Sequence, residues 1–294
     1  MTTALAEEFE THRPRLFGLA YRMLGSAEEA EDTVQDVYLR FSAADRAGIE
    51  HAGAWLAKVA TNLCLNRLTS ARARRERYVG PWLPEPVITS EGALGPLETA
   101  EQRDAVSLAL LVLLERLTPT ERAVYVLREA FAYGHAEIAG VLDITEANSR
   151  QLYRRAERRI AEERARFEPD AERRTSLLTA FLAAAQEGDL AGLEKLLAAD
   201  VTWWGDGGGR VSATMRPVLG REKVARFTDG IFRRHLTGKT FTLAEVNGGP
   251  GALFWDGDVV VCAVGFECRD GLVTEVRAVL NPEKLAFLRR QVAV

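Results

Sequence analysis

The run with the plainest chemistry is RQLYRRAERR at positions 150–159, which carries five arginines. An arginine fork clamps phosphate through two hydrogen bonds and reads the guanine edge, while Asn and Gln pair in the same two-pronged way with adenine. Asn148, Arg150 and Gln151 open the run and suit base edges. Arg154, Arg155, Arg158 and Arg159 follow and suit backbone phosphate, which sets register rather than sequence. A second run, NRLTSARARRERY at 66–78, holds five Arg against one Glu. Here Arg67, Arg72, Arg74 and Arg75 could neutralise a phosphate backbone, Asn62 and Asn66 stand beside them, and Trp55 and Tyr78 are the nearby rings able to stack on a base. Trp55 reads more readily as core. Taken one at a time, either run also reads as a solvated helix face.

Proton chemistry in the C-terminal part would need an Asp, Glu or His facing an apolar pocket. Asp206 begins the run Asp206, Gly207, Gly208, Gly209, Arg210, where a tight turn or a backbone contact explains the glycines at least as well as catalysis does. His235 falls near a helix end and reads as a surface or capping residue. Cys262 and Cys268 lie an even number apart on one expected strand, so they share a face, most simply the core. With Cys64 they form no CxxC and no metal-like His spacing, so no disulfide framework, metal or cofactor is expected and the compartment reads as reducing. No catalytic residue is assigned.

These side chains need helices to present them. Apolar residues recur at helical spacing from Leu16 to Phe41, with Gly25 and Ser26 dividing two helices and Ser26 as N-cap over Glu29. A third helix runs from Ala54 to about Tyr78. Residues 79–97 hold four prolines and read as an extended linker, but Trp82, Leu83, Pro84, Glu85 and Pro86 are too apolar for an inert tether and are expected to dock on something or to cover a surface. Helical spacing resumes over 98–117, and Thr118 and Pro119 open another helix as N-cap and first position. Then a short helix, His135 to Leu142, with Ile138, Ala139 and Leu142 inward, a turn at Asp143 and Ile144, and a helix capped by Thr145 have the spacing of a helix-turn-helix. After Pro169, two helices, 171–186 and 189–197, precede strand-like runs at 201–204, 239–246, 252–255, 258–267 and 272–280, interrupted by a helix at 221–235. Asn281 and Pro282 are read as N-cap and first residue of a last helix. The fold class is therefore multidomain: two all-α domains, then an α+β domain with a curled antiparallel sheet.

At 294 residues and 47% apolar, the chain has material for two or three compact domains. The net charge of −4 gives no hint of a nucleic-acid partner until it is divided. Residues 1–65 sum to −4, whereas 66–78 and 150–166 each sum to +4, and 167–294 are nearly neutral. The acidic start is unlike a signal peptide and the longest apolar run, 108–114, is too short for a bilayer, so no membrane is expected and the reading is cytoplasmic.

On these residues the N-terminal part resembles a bacterial extracytoplasmic-function sigma factor of the sigma-70 family. LFGLAYRMLGSAEEAEDTVQDVYLRF resembles its region two core, AWLAKVATNLCLNRLTSARARRE its promoter-melting segment, and LTPTERAVYVLREAFAYGHAEIAGVLDITEANSRQLYRRAERRI its region four. The resemblance implies region two at 8–78, a linker at 79–97 and region four at 98–166. It implies that Asp32, Val34, Gln35, Asp36, Tyr38 and Leu39 dock on the clamp helices of the RNA polymerase largest subunit, with a further contact on the flap region. It also implies that 62–75 faces the opening promoter element and that 148–159 reads the upstream one.

Residues 171–294 resemble a SnoaL-like domain, a cone-shaped α+β barrel. WLPEP, DGGGR and the run Asn281, Pro282, Glu283, Lys284, Leu285 are similar to a sigma subgroup whose fused extension acts in cis, which makes a separate anti-sigma protein unnecessary. The three motifs are expected to form one contact, shifted by polymerase or by an unidentified small ligand. Two rivals stand beside this reading: a SnoaL-like small-molecule enzyme or ligand sensor carrying a DNA-targeting arm, and a repressor using the helix-turn-helix alone.

Overall fold

In the computed structural model, residues 2–45, 48–75, 77–90, 106–161 and 171–293 are described, the side chains of 2–4, 69–75 and 171 excepted. Helix α1 (Thr2–Leu24) extends well before Leu16, continuing through Pro14, and stops where Gly25 takes φ 67 and its N–H closes on the Tyr21 carbonyl at 2.7 Å. Ser26 then accepts from the Glu29 N–H and starts α2 (Ala27–Ala43), followed by α3 (Ala52–Arg75). The expected stripe is inward: Leu19, Ala20, Met23, Val34, Val37 and Phe41 are buried against Leu56, Ala60 and Leu63. Val34 thus belongs to the core rather than to a docking surface, because the helical period turns it about 100° away from exposed Gln35.

Helix α4 (Leu108–Leu114) is shorter than the expected 98–117; residues 98–105 lie outside the described residues and 115–117 form turns. The capping box at Thr118 and Glu121 starts α5 (Pro119–Glu129). Helices α6 (His135–Leu142) and α7 (Glu146–Ala161) make the helix-turn-helix, with Asp143 at φ 53 in the turn. Asp tolerates this left-handed backbone better than most residues. Ile138 and Val141 fill the inner face of α6, displacing Leu142 to a half-buried position. Arg122, 2% exposed, donates from Nε to the Arg22 carbonyl (3.1 Å) and pairs with Glu115 (2.5 Å). Lys58 reaches the Gly140 carbonyl (2.9 Å) and Asp143 Oδ1 (2.8 Å), so α3 grips the turn of the helix-turn-helix. The helices α1 to α3 and α5 to α7 form one compact unit.

The second unit takes in residues 77–90, 107–109 and the C-terminal domain. Helices α8 (Ala171–Glu187) and α9 (Leu190–Leu196) lead into β1 (Leu197–Asp206), a two-residue β2 (Val218–Leu219) that the sequence pattern missed, and α10 (Arg221–His235). Strands β3 (Thr240–Val246), β4 (Gly249–Asp256), β5 (Val259–Arg269) and β6 (Leu272–Val279) follow, then α11 (Ala286–Val292). Sheet order is β2-β1-β6-β5-β4-β3. The expected antiparallel sheet is corrected at one pair, since β1 and β6 run parallel; the helix and strands between them let the chain return in the same direction. Leu178, Phe181, Leu193 and Val224 cover one face of the sheet and meet Trp203, Phe254, Phe266 and Val276 in a single core that also buries Cys262 and Cys268.

Candidate functional site

On α7, Ser149, Leu152, Ala156 and Ile160 turn inward, which leaves Asn148, Arg150, Gln151, Arg154, Arg155, Arg158 and Arg159 exposed. They differ in what holds them. Arg159 pairs with buried Glu121 at 2.6 Å and Arg155 approaches the same carboxylate at 3.7 Å, so both also fasten α7 to α5. Arg150 is bound to Glu146 one turn back. Arg154 and Arg158 make no ion pair among the described residues and are the cations most available to a phosphate. The helix is braced from below: Tyr153 stacks on Tyr125 with centroids 6.3 Å apart and donates to Glu129 at 2.7 Å, and His135 Nδ1 lies 3.0 Å from Ser149 Oγ. Partial burial, then the charges of Arg128 and Arg150, hold the His135 imidazole below its ordinary pKa and so neutral.

Asp32, Gln35, Asp36 and Leu39 fall on one face of α2, where Leu39 is 56% exposed beside the carboxylates. An exposed leucine ringed by polar groups is a protein-docking chemistry. Tyr38 is half-buried, edge-on to Phe9 at 5.0 Å. Arg67, expected to face DNA, also makes contacts within the helical unit. Its guanidinium is turned onto α2, 2.7 Å from Asp36, 3.8 Å from Asp32 and 3.2 Å from the Glu29 carbonyl, because three anionic or carbonyl oxygens converge there. Asn66 is exposed and Asn62 half-buried, while the side chains of Arg72, Arg74 and Arg75 lie outside the described residues. Trp55 packs 5.8 Å from Phe41, as core.

In the second unit the three linker-contact motifs meet on one carboxylate. Asp206, fully buried at the end of β1, accepts from Tyr78 at 2.5 Å on Oδ1 and from the Leu83 N–H (2.8 Å) and Lys284 Nζ (2.7 Å) on Oδ2. Its backbone carbonyl takes the Leu280 and Asn281 N–H groups. Lys284 also donates to the Leu83 carbonyl and sits over the rings of Trp82 (4.3 Å) and Tyr78 (4.5 Å). Asn281 Nδ2 donates to the Tyr78 hydroxyl at 2.8 Å. Burial and the bond to Asp206 push the Tyr78 phenol up, so it remains a donor.

Tyr78, read from sequence as a stacking ring for bases, is thus part of this dock. Gly208 and Gly209 have φ of +57 and +70, and a Cβ on Gly208 would come within 2.7 Å of the Tyr78 hydroxyl and closer still to Asn281. Leu83, Pro84 and Pro86 are buried and Glu85 is half-buried. Arg210 pairs with Glu283 at 2.7 Å, both well exposed, and this adds little.

Asn281 is not the cap of α11. Its Oδ1 accepts from the Glu283 N–H at 3.0 Å and organises a turn through Pro282 to buried Leu285, and the helix begins only at Ala286. Two anchors had no signal in the sequence. Asn247 exchanges bonds with Val87 (3.1 and 2.9 Å), and Gln291 bonds both the N–H and the carbonyl of Ile88 (2.9 and 3.0 Å). Both pairings join segments more than 150 residues apart.

A helix-turn-helix that presents exposed arginines beside a second helical module has the chemistry of a DNA-binding protein of transcription. The comparisons agree. Residues 9–74 match Sigma-70 region 2, 107–160 match Sigma-70 region 4, and 178–282 match the SnoaL-like domain. The chain is 37% identical over 287 residues to the ECF RNA polymerase sigma factor SigJ of Mycobacterium tuberculosis H37Rv, covering 94% of this chain and 92% of that one. It is 31% identical to the probable ECF RNA polymerase sigma factor SigI of the same species, over 96% and 95%. The crystal structure of M. tuberculosis SigJ superposes with a TM-score of 0.77 at 35% identity, covering 96% of this chain and 98% of that one. The chain belongs to the extracytoplasmic-function RNA polymerase sigma factors and carries a C-terminal SnoaL-like domain. Sigma factors bind core RNA polymerase and promoter DNA. No helix among the described residues is long and apolar enough to cross a membrane.

Proposed function

We propose that the docking of residues 77–90 on the C-terminal domain sets the activity of this sigma factor in cis, without a separate anti-sigma protein. The observation that carries the reading is buried Asp206, which binds Tyr78, Leu83 and Lys284 at once. A segment that joins two DNA-binding modules and is held by a third domain restricts where those modules go. In the same reading the Asp32, Gln35, Asp36, Tyr38 and Leu39 face of α2 docks on the polymerase clamp helices. Region four adds the flap contact. Asn62, Asn66 and the arginines at 72, 74 and 75 face the melting promoter element, and α7 reads the upstream one. Exposure of the α2 face and of α7 supports these roles. The test is promoter-dependent transcription with core RNA polymerase, comparing the full chain with its Trp82→Ala and Lys284→Met variants. A changed output in both variants supports regulation in cis, and identical output from all three sinks it.

A further inference from the structure

Strands β5 and β6 send Val264, Phe266, Val276 and Ala278 into the core, so Gly265, Glu267 and Arg277 point to the opposite face of the sheet. That face is charged and nearly closed to water. Arg277 is 6% exposed, pairs with Glu275 and lies 3.6 Å from Glu267, whose side chain is 12% exposed. Arg174 of α8 adds a second positive charge beside Glu267, and the Nε–H groups of both arginines are buried with no acceptor among the described residues. Ions buried in this way add little to fold stability, because the loss of water offsets their attraction. What the cluster does hold is a backbone amide: the Ala109 N–H donates to Glu267. The preceding residue, Leu108, is 4% exposed and lies over Gly265. A Cβ on that glycine would meet Leu108 Cδ1 at 3.1 Å, and outside the adjoining chain only Leu108 comes within 4 Å of it among the described residues. Gly265 has no positive φ, so the strand itself does not call for glycine. A glycine inside a strand weakens it and marks a close approach by another segment. Here that segment is Leu108.

Residues 107–109 belong to the same compact unit as the C-terminal domain, and the chain from Leu110 to Arg164 belongs to the helical unit. They also open the match to Sigma-70 region 4. We propose that Leu108 and Ala109 form a second anchor, separate from the Asp206 dock, by which the C-terminal domain holds the first residues of region four, and that this anchor must release for full transcription. The anchor is the weaker of the two. Ala109 gives it one hydrogen bond and Leu108 one apolar side chain, whereas Asp206 takes three donors and its partner Lys284 sits over two rings. Release strands no charge, because Glu267 keeps Arg277 and Arg174. A segment held in this way opens at low cost, which is what a switch requires. The role in transcription rests on the regulatory reading above; the anchor itself does not.

Hydrogen exchange followed by mass spectrometry on the full chain reads the anchor at the Ala109 amide and the dock at the Leu83 amide. Gly265→Ala is expected to lift Leu108 and lower Ala109 protection about tenfold, with Leu83 and the β5 amides within about threefold of the parent. Glu267→Leu, which removes the acceptor, is expected to do the same; if it does not fold, Gly265→Ala carries the test alone. Core RNA polymerase is expected to speed Ala109 exchange about tenfold or more, and Gly265→Ala to raise promoter-dependent transcription about twofold or more. Ala109 protection within about threefold of the parent in Gly265→Ala, or unmoved by core polymerase, would overturn the proposal. Ala109 opened in Gly265→Ala without any change in transcription, while Lys284→Met does change it, would overturn the release step alone. Unchanged transcription in Gly265→Ala, Trp82→Ala and Lys284→Met together would instead count against the regulatory reading and leave the anchor standing.

Discussion

Replacing Lys284 by methionine keeps the aliphatic stem and removes three things at once: the ion pair to Asp206, the bond to the Leu83 carbonyl, and the cation over two aromatic rings. The partner left behind is a fully buried carboxylate. Breaking a buried pair from one side costs about 3–5 kcal/mol because the remaining charge is uncompensated. Tyr78 and the Leu83 N–H still serve that carboxylate, so the lower end, about 3 kcal/mol, is the expected value. At about 1.4 kcal/mol per factor of ten, the docked arrangement loses somewhat more than a hundredfold against the undocked one. Native-state hydrogen exchange reads this directly, since the Leu83 N–H donates to Asp206. Its protection is expected to fall by about two orders of magnitude while amides of β4 and β5 keep theirs. Asp206→Asn combined with Lys284→Met is expected to cost less than the sum of the single changes, because neither then strands a charge. Leu83 protection within threefold of the parent in Lys284→Met, or strict additivity of the pair, would refute the buried charge pair as the centre of the dock.

Arg154→Ala and Arg158→Ala are each expected to weaken promoter binding by the polymerase complex at all sequences and to reduce the slope of log affinity against log salt by about 1, whereas Gln151→Ala should weaken it unevenly among sequences. A salt slope unchanged in Arg154→Ala/Arg158→Ala would remove those two from the phosphate contacts. Leu39→Asp, on the exposed face of α2, is expected to abolish co-purification with core polymerase with a melting temperature within a degree or two of the parent. The lowered pKa of His135 means that the unfolded chain takes up the proton first. Stability of the helix-turn-helix unit is then fully present above pH 6.5 and falls as pH drops from there toward the folded value. Thermal melts between pH 7.5 and 5 should show this fall, and His135→Gln should flatten it.

Local signals carried the helical part well. Ser26, Thr118 with Pro119, and Thr145 each mark a helix start because the cap is made with the residue three positions on. The exposed face of α7 followed from its period. Asn281 shows where the same reasoning stops: its side chain caps a turn, and the folded path to Leu285 delays the helix by one turn. The three linker motifs were expected to form one contact, yet which atoms meet was not legible.

What the sequence determined by itself is the order of elements, the two arginine helices and the segregation of charge, since each rests on residue types within one or two turns of one another. What only the tertiary structure decided is the choice of partner for each charge. Arg67 turns to Asp36 rather than outward, Tyr78 goes to Asp206 rather than to a base, and Lys284 rather than Arg210 neutralises the buried carboxylate. The reason is that an ion pair or hydrogen bond is worth most where water is excluded, and the burial around Asp206 is created by segments from 78 to 203 residues apart, whose meeting no local pattern encodes.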